Sequence, residues 1–227
     1  MTRSITASAP GKLMMFGEYA VLEGAPALVC AVNRRCRVTI RSGVATGSFR
    51  SPQLHPDPIS YGYEDDAVRW SCPDELKPQL ALARHLLEAG EPVPLEVTVS
   101  TAAFQHRGRK LGLGSSAAMT VAWCRAADAG LESAAELRDR AERIHQAFQR
   151  GRGSGADIVA SAYGGLLMHR RGAAPRRLTW PGKLGWQLVW TGESADTRDF
   201  LRRLGEWQQA EPARYAACFD RLTNLAE

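Results

Sequence analysis

Polar and apolar residues alternate over residues 3–8, the period of a half-buried strand, and Pro10-Gly11 breaks the alternation. Lys12-Leu13-Met14-Met15-Phe16 then reads as an apolar strand running into Gly17-Glu18. After a turn at Gly24 to Pro26, Ala27 to Ile40 reads as strand again, apolar first and alternating later. Residues 41–75 are rich in Gly, Ser, Pro and Asp and predict hairpins and loops. From Pro78 to Ala89 the apolar residues Leu80, Leu82, Ala83, Leu86 and Leu87 keep helical spacing, which stops at Gly90. Leu95 to Ser100 alternates as a strand.

The second half of the chain is mainly helical. Ala117 to Ala129 is a helix-forming run whose small side chains suit close packing. Ser133 to Gln149 predicts a helix with its apolar side at Ala135, Leu137, Ala141, Ile144, Ala147 and Phe148. His145 lies on that side and reads as a satisfied core histidine. A shorter helix carries Asp157 in its first turn and stops at Gly164-Gly165, ahead of a strand at Leu166 to His169. Pro175 to Trp180 reads as a turn-rich connection. Trp186 to Gly192 predicts a strand that buries Trp186, Leu188 and Trp190. Ser194 suits the N-cap of a helix through Leu204, and Pro212 to Ala226 predicts a last helix. No internal repeat or low-complexity linker divides the chain.

The 227 residues, 44% hydrophobic and 23% charged, have an ordinary globular composition. A net charge of +5 comes almost wholly from Arg, because Lys occurs only at Lys12, Lys77, Lys110 and Lys183. These cations are scattered rather than blocked, which argues against a nucleic-acid stripe. The five cysteines form no C-x-x-C pair, so a disulfide framework or zinc site is not expected. The N-terminus leads into no apolar h-region, and no apolar run approaches the ~18 residues of a spanning helix. A soluble cytoplasmic protein, acting away from membranes, is the expectation.

Candidate chemistry centres on Lys110-Leu111-Gly112-Leu113-Gly114-Ser115-Ser116-Ala117-Ala118. A helix start leaves its first N–H groups unpaired and partly positive, and glycines ahead of it let an anion reach the backbone. Such a start is a ready phosphate site. Ser115 or Ser116 can cap the helix, leaving the other hydroxyl for a phosphate oxygen or a phosphate-bound Mg²⁺. The bland alternative is a Ser-capped structural helix. Gly112-x-Gly114-x-x-Ala117 matches the dinucleotide fingerprint in spacing, but the polar Gln105 to Lys110 stands where that motif needs a strand. No G-x-x-x-x-G-K-[ST] occurs.

Two other stretches supply company. Lys12 follows a Pro-Gly turn and is either a surface lysine or an ammonium that offsets developing negative charge. Gln149 to Gly165 is a second glycine loop entering a helix, with Arg150, Arg152, Ser154 and Gly155 ahead of Asp157. An acidic residue in a first turn is common for dipole reasons alone. Flanked by Arg and backbone amides, the same carboxylate can orient a substrate hydroxyl or accept its proton.

In their order and separation these pieces resemble the GHMP kinase family. Ala9-Pro10-Gly11-Lys12 through Gly17-Glu18-Tyr19-Ala20-Val21 looks like its first motif. Lys110 to Ala118 looks like its phosphate loop, and Gly153-Ser154-Gly155-Ala156-Asp157 like the loop of its catalytic aspartate. The direct Lys110-Leu111-Gly112 junction, the Gln149-x-x-x-Gly153-Ser154-Gly155-x-Asp157 run and Thr191-Gly192-x-Ser194-Ala195-x-Thr197 lean toward the phosphomevalonate kinase branch. The resemblance implies an α+β, GHMP kinase-like protein. Residues 1–180 would be an N-terminal ribosomal-protein-S5-like α/β domain that binds ATP, and residues 181–227 the start of a truncated ferredoxin-like C-terminal domain. The family's third motif, a Lys-Pro-x-Gly-Ala-Gly-Gly-Gly-Asp-like loop, is absent.

The implied activity is Mg²⁺- and ATP-dependent phosphorylation of 5-phosphomevalonate on the mevalonate route to isoprenoids, with mevalonate or another small alcohol as alternative acceptor. A non-catalytic nucleotide- or metabolite-binding module is the reading from another class, motivated by the missing third motif. The resemblance assigns catalysis to Asp157 and Lys12. It assigns the ATP phosphates to Lys110, Gly112, Leu113, Gly114, Ser115, Ser116 and Ala117, and magnesium to Ser116. The acceptor falls to Lys12, Glu18, Tyr19, Arg152, Ser154 and Gly155, with Arg109 and Lys110 adding positive charge. Glu142 and Gln146 both lie near the position of a family magnesium carboxylate, and neither is assigned to it. A monomer or homodimer without nucleic-acid or membrane partners is expected.

Overall fold

The computed structural model describes residues 2–128, 130–151, 153–183, 185–193 and 197–226. In chain order its strands are β1 (Arg3–Phe16), β2 (Ala27–Ser42), β3 (Gly47–Arg50), β4 (Ile59–Glu64), β5 (Ala67–Ser71), β6 (Glu96–Ser100), β7 (Gln105–His106), β8 (Arg109–Lys110), β9 (Leu166–His169) and β10 (Arg176–Leu178). Its helices are α1 (Ala81–Glu88), α2 (Ser115–Ala127), α3 (Ala134–Phe148), α4 (Ala156–Tyr163), α5 (Thr197–Ala210) and α6 (Pro212–Ala226).

The strand β2 is the spine of the main sheet. Its start pairs with β9 and its end with β6, while β1 runs antiparallel along the other edge for nearly its whole length. The sheet reads β10-β9-β2-β6-β3-β4-β5, with β3 parallel to β6 and the remaining pairs antiparallel. Antiparallel sheets can leave one face in water, and β2 shows the resulting alternation. Cys36, Val38 and Ile40 are buried, while Arg35, Arg37 and Arg41 are exposed. On the wet face Thr6 and Thr39 share a 2.8 Å hydrogen bond and Arg35 bonds Ser8. On the dry face Val38, Val97 and Val99 meet Ala117, Val121, Leu137 and Ile158 from the helices.

Helix α2 is buried on nearly every side, as a helix of mostly small and apolar residues can be. Ala117, Ala118, Ala122 and Ala126 let it lie close to its neighbours, and Trp123 and Met119 fill the wider gaps. Each large apolar side chain fully buried here contributes ~1.5–3 kcal/mol relative to exposure. This packing fixes where the first turn of α2 sits.

Several expected boundaries move. The break at Pro10-Gly11 does not end the first strand; β1 continues through a register shift in which Pro10 faces Arg35 and Gly11 faces Val32. The extra β2 residues absorb the missing proline N–H as a bulge. Pro78 to Leu80 is 3-10 helix rather than the start of α1, and a short β10 lies within the expected Pro175–Trp180 connection.

No strand forms at Trp186 to Gly192. Trp186 is 48% and Leu188 52% exposed, because no sheet edge pairs with this segment among the described residues. Trp190 is half-buried, edge-on to His106 at 6.0 Å. The expected N-cap Ser194 lies outside the described residues, and α5 runs past Leu204 to Ala210. Helices α5 and α6 form a satellite cluster, with Tyr215 and Phe219 buried against Ala20 and Ala25 and Leu204 and Trp207 packed around them. No described helix is long and apolar enough to cross a membrane.

Candidate functional site

Two of the three helices around the first turn of α2 begin without a side-chain cap, and the third is capped twice. Ser133 and Glu136 make a full capping box at the start of α3. Helix α2 instead starts from Gly114 at φ 73°, and α4 from Gly155 at φ 79°, with no side-chain cap hydrogen bond at either. Ser115 and Ser116 therefore do not cap α2, contrary to the sequence expectation. The left-handed Gly114 takes the cap position, so both serines fall inside the helix. The first i→i−4 bond of α2 runs from Ala118 N–H to Gly114 C=O at 3.1 Å, leaving the N–H groups of Ser115, Ser116 and Ala117 directed out of the helix end.

Lys12 is bound to this loop through backbone and stem. Its N–H donates to the Leu113 carbonyl at 2.9 Å. A Cβ on Gly114 would lie 3.0 Å from Lys12 Cγ and 3.6 Å from Cε, so the lysine stem crosses Gly114 at the start of α2. Gly11 makes the approach possible, since a Cβ there would collide with the Leu113 carbonyl and the Phe104 ring.

The second glycine turn meets the first across α3. The buried His145, 2% exposed, places Nε2 3.2 Å from Ser116 Oγ. Burial pushes the His145 ring below the usual histidine range, while the nearby Asp157 carboxylate pulls it the other way. The ring thus bonds Ser116 and lies within reach of the Asp157 charge. Asp157 is half-buried, and its Oδ1 accepts the Ile158 N–H at 3.1 Å. The turn before it is pinned from β9, where buried His169 donates Nε2–H to the Ser154 carbonyl at 2.9 Å. Glu142 lies against Gly155, whose Cβ would come within 2.6 Å of Glu142 Oε1, and Gln146 Nε2 bonds the same carboxylate at 3.1 Å. Neither Glu142 nor Gln146 has a hydrogen bond to Ser116; the α3 residue that does is His145.

The remaining expected residues divide by place. Gly112 is exposed at φ 75°, Leu113 is half-buried and Ala117 is buried, all at the α2 tip. Lys110 is exposed on β8, where it pairs with Gln105 of β7. Arg109 beside it donates to the Gly192 carbonyl at 3.3 Å. Ser154 and Gly155 belong to the second turn, and Arg152 lies outside the described residues.

Glu18 and Tyr19 stand apart, beyond the end of β1. Tyr19 has φ 66° and ψ −45°, and Ala20 N–H bonds the Glu18 carbonyl at 2.8 Å, a tight γ-turn that a non-glycine residue adopts at a cost of ~1–3 kcal/mol. The Tyr19 ring is 6.2 Å from Phe200 of α5, and Tyr215 of α6 donates to Glu23 at 2.8 Å. Their place is thus under the α5–α6 pair. His145 is the site residue that sequence reasoning passed over: its helical position showed burial on α3, but only packing reveals that Ser116 faces it.

Residues 80–165 match the family described as GHMP kinases N terminal domain. The chain is 32% identical over 245 residues to a phosphomevalonate kinase of Streptomyces sp. (strain CL190), covering 89% of this chain and 65% of that protein. It is 33% identical over 208 residues to a mevalonate kinase of Aeropyrum pernix, covering 90% of this chain and 62% of that protein. The chain therefore spans less than two thirds of the length of either relative. It shares its fold with a Listeria innocua protein of known crystal structure, at a TM-score of 0.76 and 22% identity, over 99% of this chain and 71% of that one.

Proposed function

We propose that this chain, whose residues 80–165 match the GHMP kinases N terminal domain, transfers the γ-phosphoryl group of ATP to 5-phosphomevalonate. The observation that carries the reading is the convergence of Lys12, the α2 tip and the Asp157 turn around Ser116 and His145. The N–H groups of Ser115, Ser116 and Ala117 face the ATP phosphates, with Lys110, Gly112, Leu113 and Gly114 forming the approach. Asp157 orients the acceptor hydroxyl and takes its proton as that oxygen bonds to phosphorus and the bond to the ADP oxygen breaks. Lys12 offsets charge on the transferring group. Catalysis is then positioning plus electrostatics, as phosphoryl transfer requires.

Magnesium fits the donor set, because the Ser116 hydroxyl is a hard oxygen ligand at the phosphate site. The described residues hold no cluster of three or more His, Cys, Asp or Glu able to bind a metal, so nucleotide phosphates and water would complete the coordination. Held by Ser116, the cation would supply charge neutralisation on the phosphates.

The Ser154–Gly155 turn and the positive charge of Arg109, Lys110 and Arg152 suit an acceptor that already bears a phosphate, where charge-assisted contacts are strongest. Glu18 and Tyr19 belong to the acceptor side in this reading. Residues 1–180 form the ATP-binding domain and 181–227 begin a second one, a division supported by α5 and α6 packing on the Tyr19 turn outside the main sheet. A mevalonate acceptor is the second reading, favoured by the 33% identity to the Aeropyrum enzyme.

A coupled assay of ADP release, run side by side on both acceptors, tests the assignment. The expected result is kcat/KM at least ~10-fold higher with phosphomevalonate, the discrimination worth ~1.4 kcal/mol that one charge-assisted contact can supply. The reverse preference assigns mevalonate. Calorimetric ATP binding with no ADP release on any mevalonate-series acceptor overturns the kinase reading.

A further inference from the structure

We propose that His145 is a positioning residue for phosphoryl transfer: from the core side of α3 its Nε2 holds the Ser116 hydroxyl in the orientation that meets the nucleotide phosphates. The inference rests on the kinase reading above and adds a residue to it.

The geometry makes a purely structural histidine a poor account of this position. His145 lies among Leu137, Ala141, Ile144 and Phe148 on the inward side of α3, where an aliphatic side chain would pack without any polar group to satisfy. Its hydrogen bond is instead to a hydroxyl in the first turn of a different helix, 3.2 Å from Nε2 to Oγ. The ring is held from behind by Phe148, at 6.0 Å between centroids, which is in turn edge-on to His85 at 5.8 Å. The Ser116 carbonyl is already engaged by Thr120 Oγ1 at 3.0 Å, so the backbone of that turn is fixed and the hydroxyl is its adjustable part.

A serine hydroxyl rotates freely unless a partner fixes it. With the ring accepting the Ser116 proton at Nε2, both lone pairs of Oγ turn toward the helix tip, where phosphate or a phosphate-bound cation would stand. A ring donating from Nε2 would leave the hydroxyl proton for a phosphate oxygen. In either tautomer the bond selects one arrangement before nucleotide arrives, and removal of that ordering is felt in ATP binding and in the transfer step. The Asp157 carboxylate is near enough for its charge to act on the same ring, so one buried side chain answers to both glycine turns.

A double-mutant cycle of Ser116→Ala and His145→Leu tests the proposal, with His145→Gln as the variant that keeps a polar atom near Nε2. Steady-state kcat and KM for ATP and the thermal midpoint are measured on all of them. Expected are a loss of about 10-fold in kcat/KM for ATP in His145→Leu, the size of one well-placed hydrogen bond of ~1.4 kcal/mol, and partial recovery in His145→Gln. In the Ser116→Ala background His145→Leu should cost less than about 2-fold more, because the partner is already gone. Additive losses, or a His145→Leu effect confined to the thermal midpoint, overturn the proposal. Should the wild-type protein phosphorylate no acceptor, the kinase reading fails separately. The cycle is then read by calorimetry on Mg·AMPPNP affinity, where coupled losses support the positioning role and additive or absent losses overturn it.

Discussion

Asp157→Asn lowers kcat by ~10²–10⁴ while leaving the fold intact, the range for removal of a general base. That loss corresponds to about 3–5 kcal/mol of barrier. The separation of activity from stability follows from the surroundings of the side chain. Asp157 is only half-buried, and its Oδ1 accepts a hydrogen bond from the neighbouring Ile158 N–H. An Asn oxygen accepts that bond equally well. What the amide cannot do is take a proton from the acceptor hydroxyl or pull on the His145 ring, which the carboxylate now holds back from the full effect of burial. Rapid-quench single turnovers with saturating ATP and acceptor, beside a thermal melt, check both halves. An unchanged chemical step removes Asp157 from the mechanism.

Gly11→Ala is the second large effect, and it acts through backbone contact. A Cβ at residue 11 would lie 2.5 Å from Phe104 Cε1 and closer still to the Leu113 carbonyl oxygen. That carbonyl cannot retreat without giving up the 2.9 Å bond from Lys12 N–H. Overpacking of this kind costs ~1–3 kcal/mol, and the lost hydrogen bond about 1 more. At ~2–4 °C per kcal/mol for a chain of this size, the thermal midpoint falls by roughly 4–16 °C. The KM for ATP rises on the order of 10-fold or more, because the loop that presents Ser115 and Ser116 is displaced with Leu113; misplacements of ~1 Å can cost as much as 100-fold. Gly108→Ala is the control. It has φ 75° but nothing within 4 Å of the added Cβ, so it bears only the left-handed penalty of ~1–2 kcal/mol and leaves KM unchanged. Equal KM effects for the two variants would mean that Gly11 has no special tie to the phosphate loop.

Local chemistry in the sequence led to most of the main sheet and to both glycine turns. The alternation of Cys36, Val38 and Ile40 with Arg35, Arg37 and Arg41 announces a strand wet on one face, and the structure keeps it. The Gly-Leu-Gly stretch announces a helix start open to an anion and the Gly-Ser-Gly stretch a second helix start, and both helices begin there without side-chain caps. Three features were hidden because they depend on neighbours distant in sequence. The cap of α2 is Gly114 rather than Ser115 or Ser116, a choice set by the αL turn that lets Lys12 cross. The Trp186–Gly192 stretch has the period of a strand but no edge to pair with among the described residues, and period alone does not supply a partner. His145 shows as a core position on α3, yet its bond to Ser116 joins two helices whose crossing no local pattern specifies.

The most direct test of the account is a crystal structure of the protein with Mg·AMPPNP. The triphosphate is expected on the N–H groups of Ser115, Ser116 and Ala117, with the Lys12 ammonium and the Asp157 carboxylate on opposite sides of the γ-phosphate. A nucleotide bound away from the α2 tip, or bound there with Asp157 turned out of the site, would contradict it.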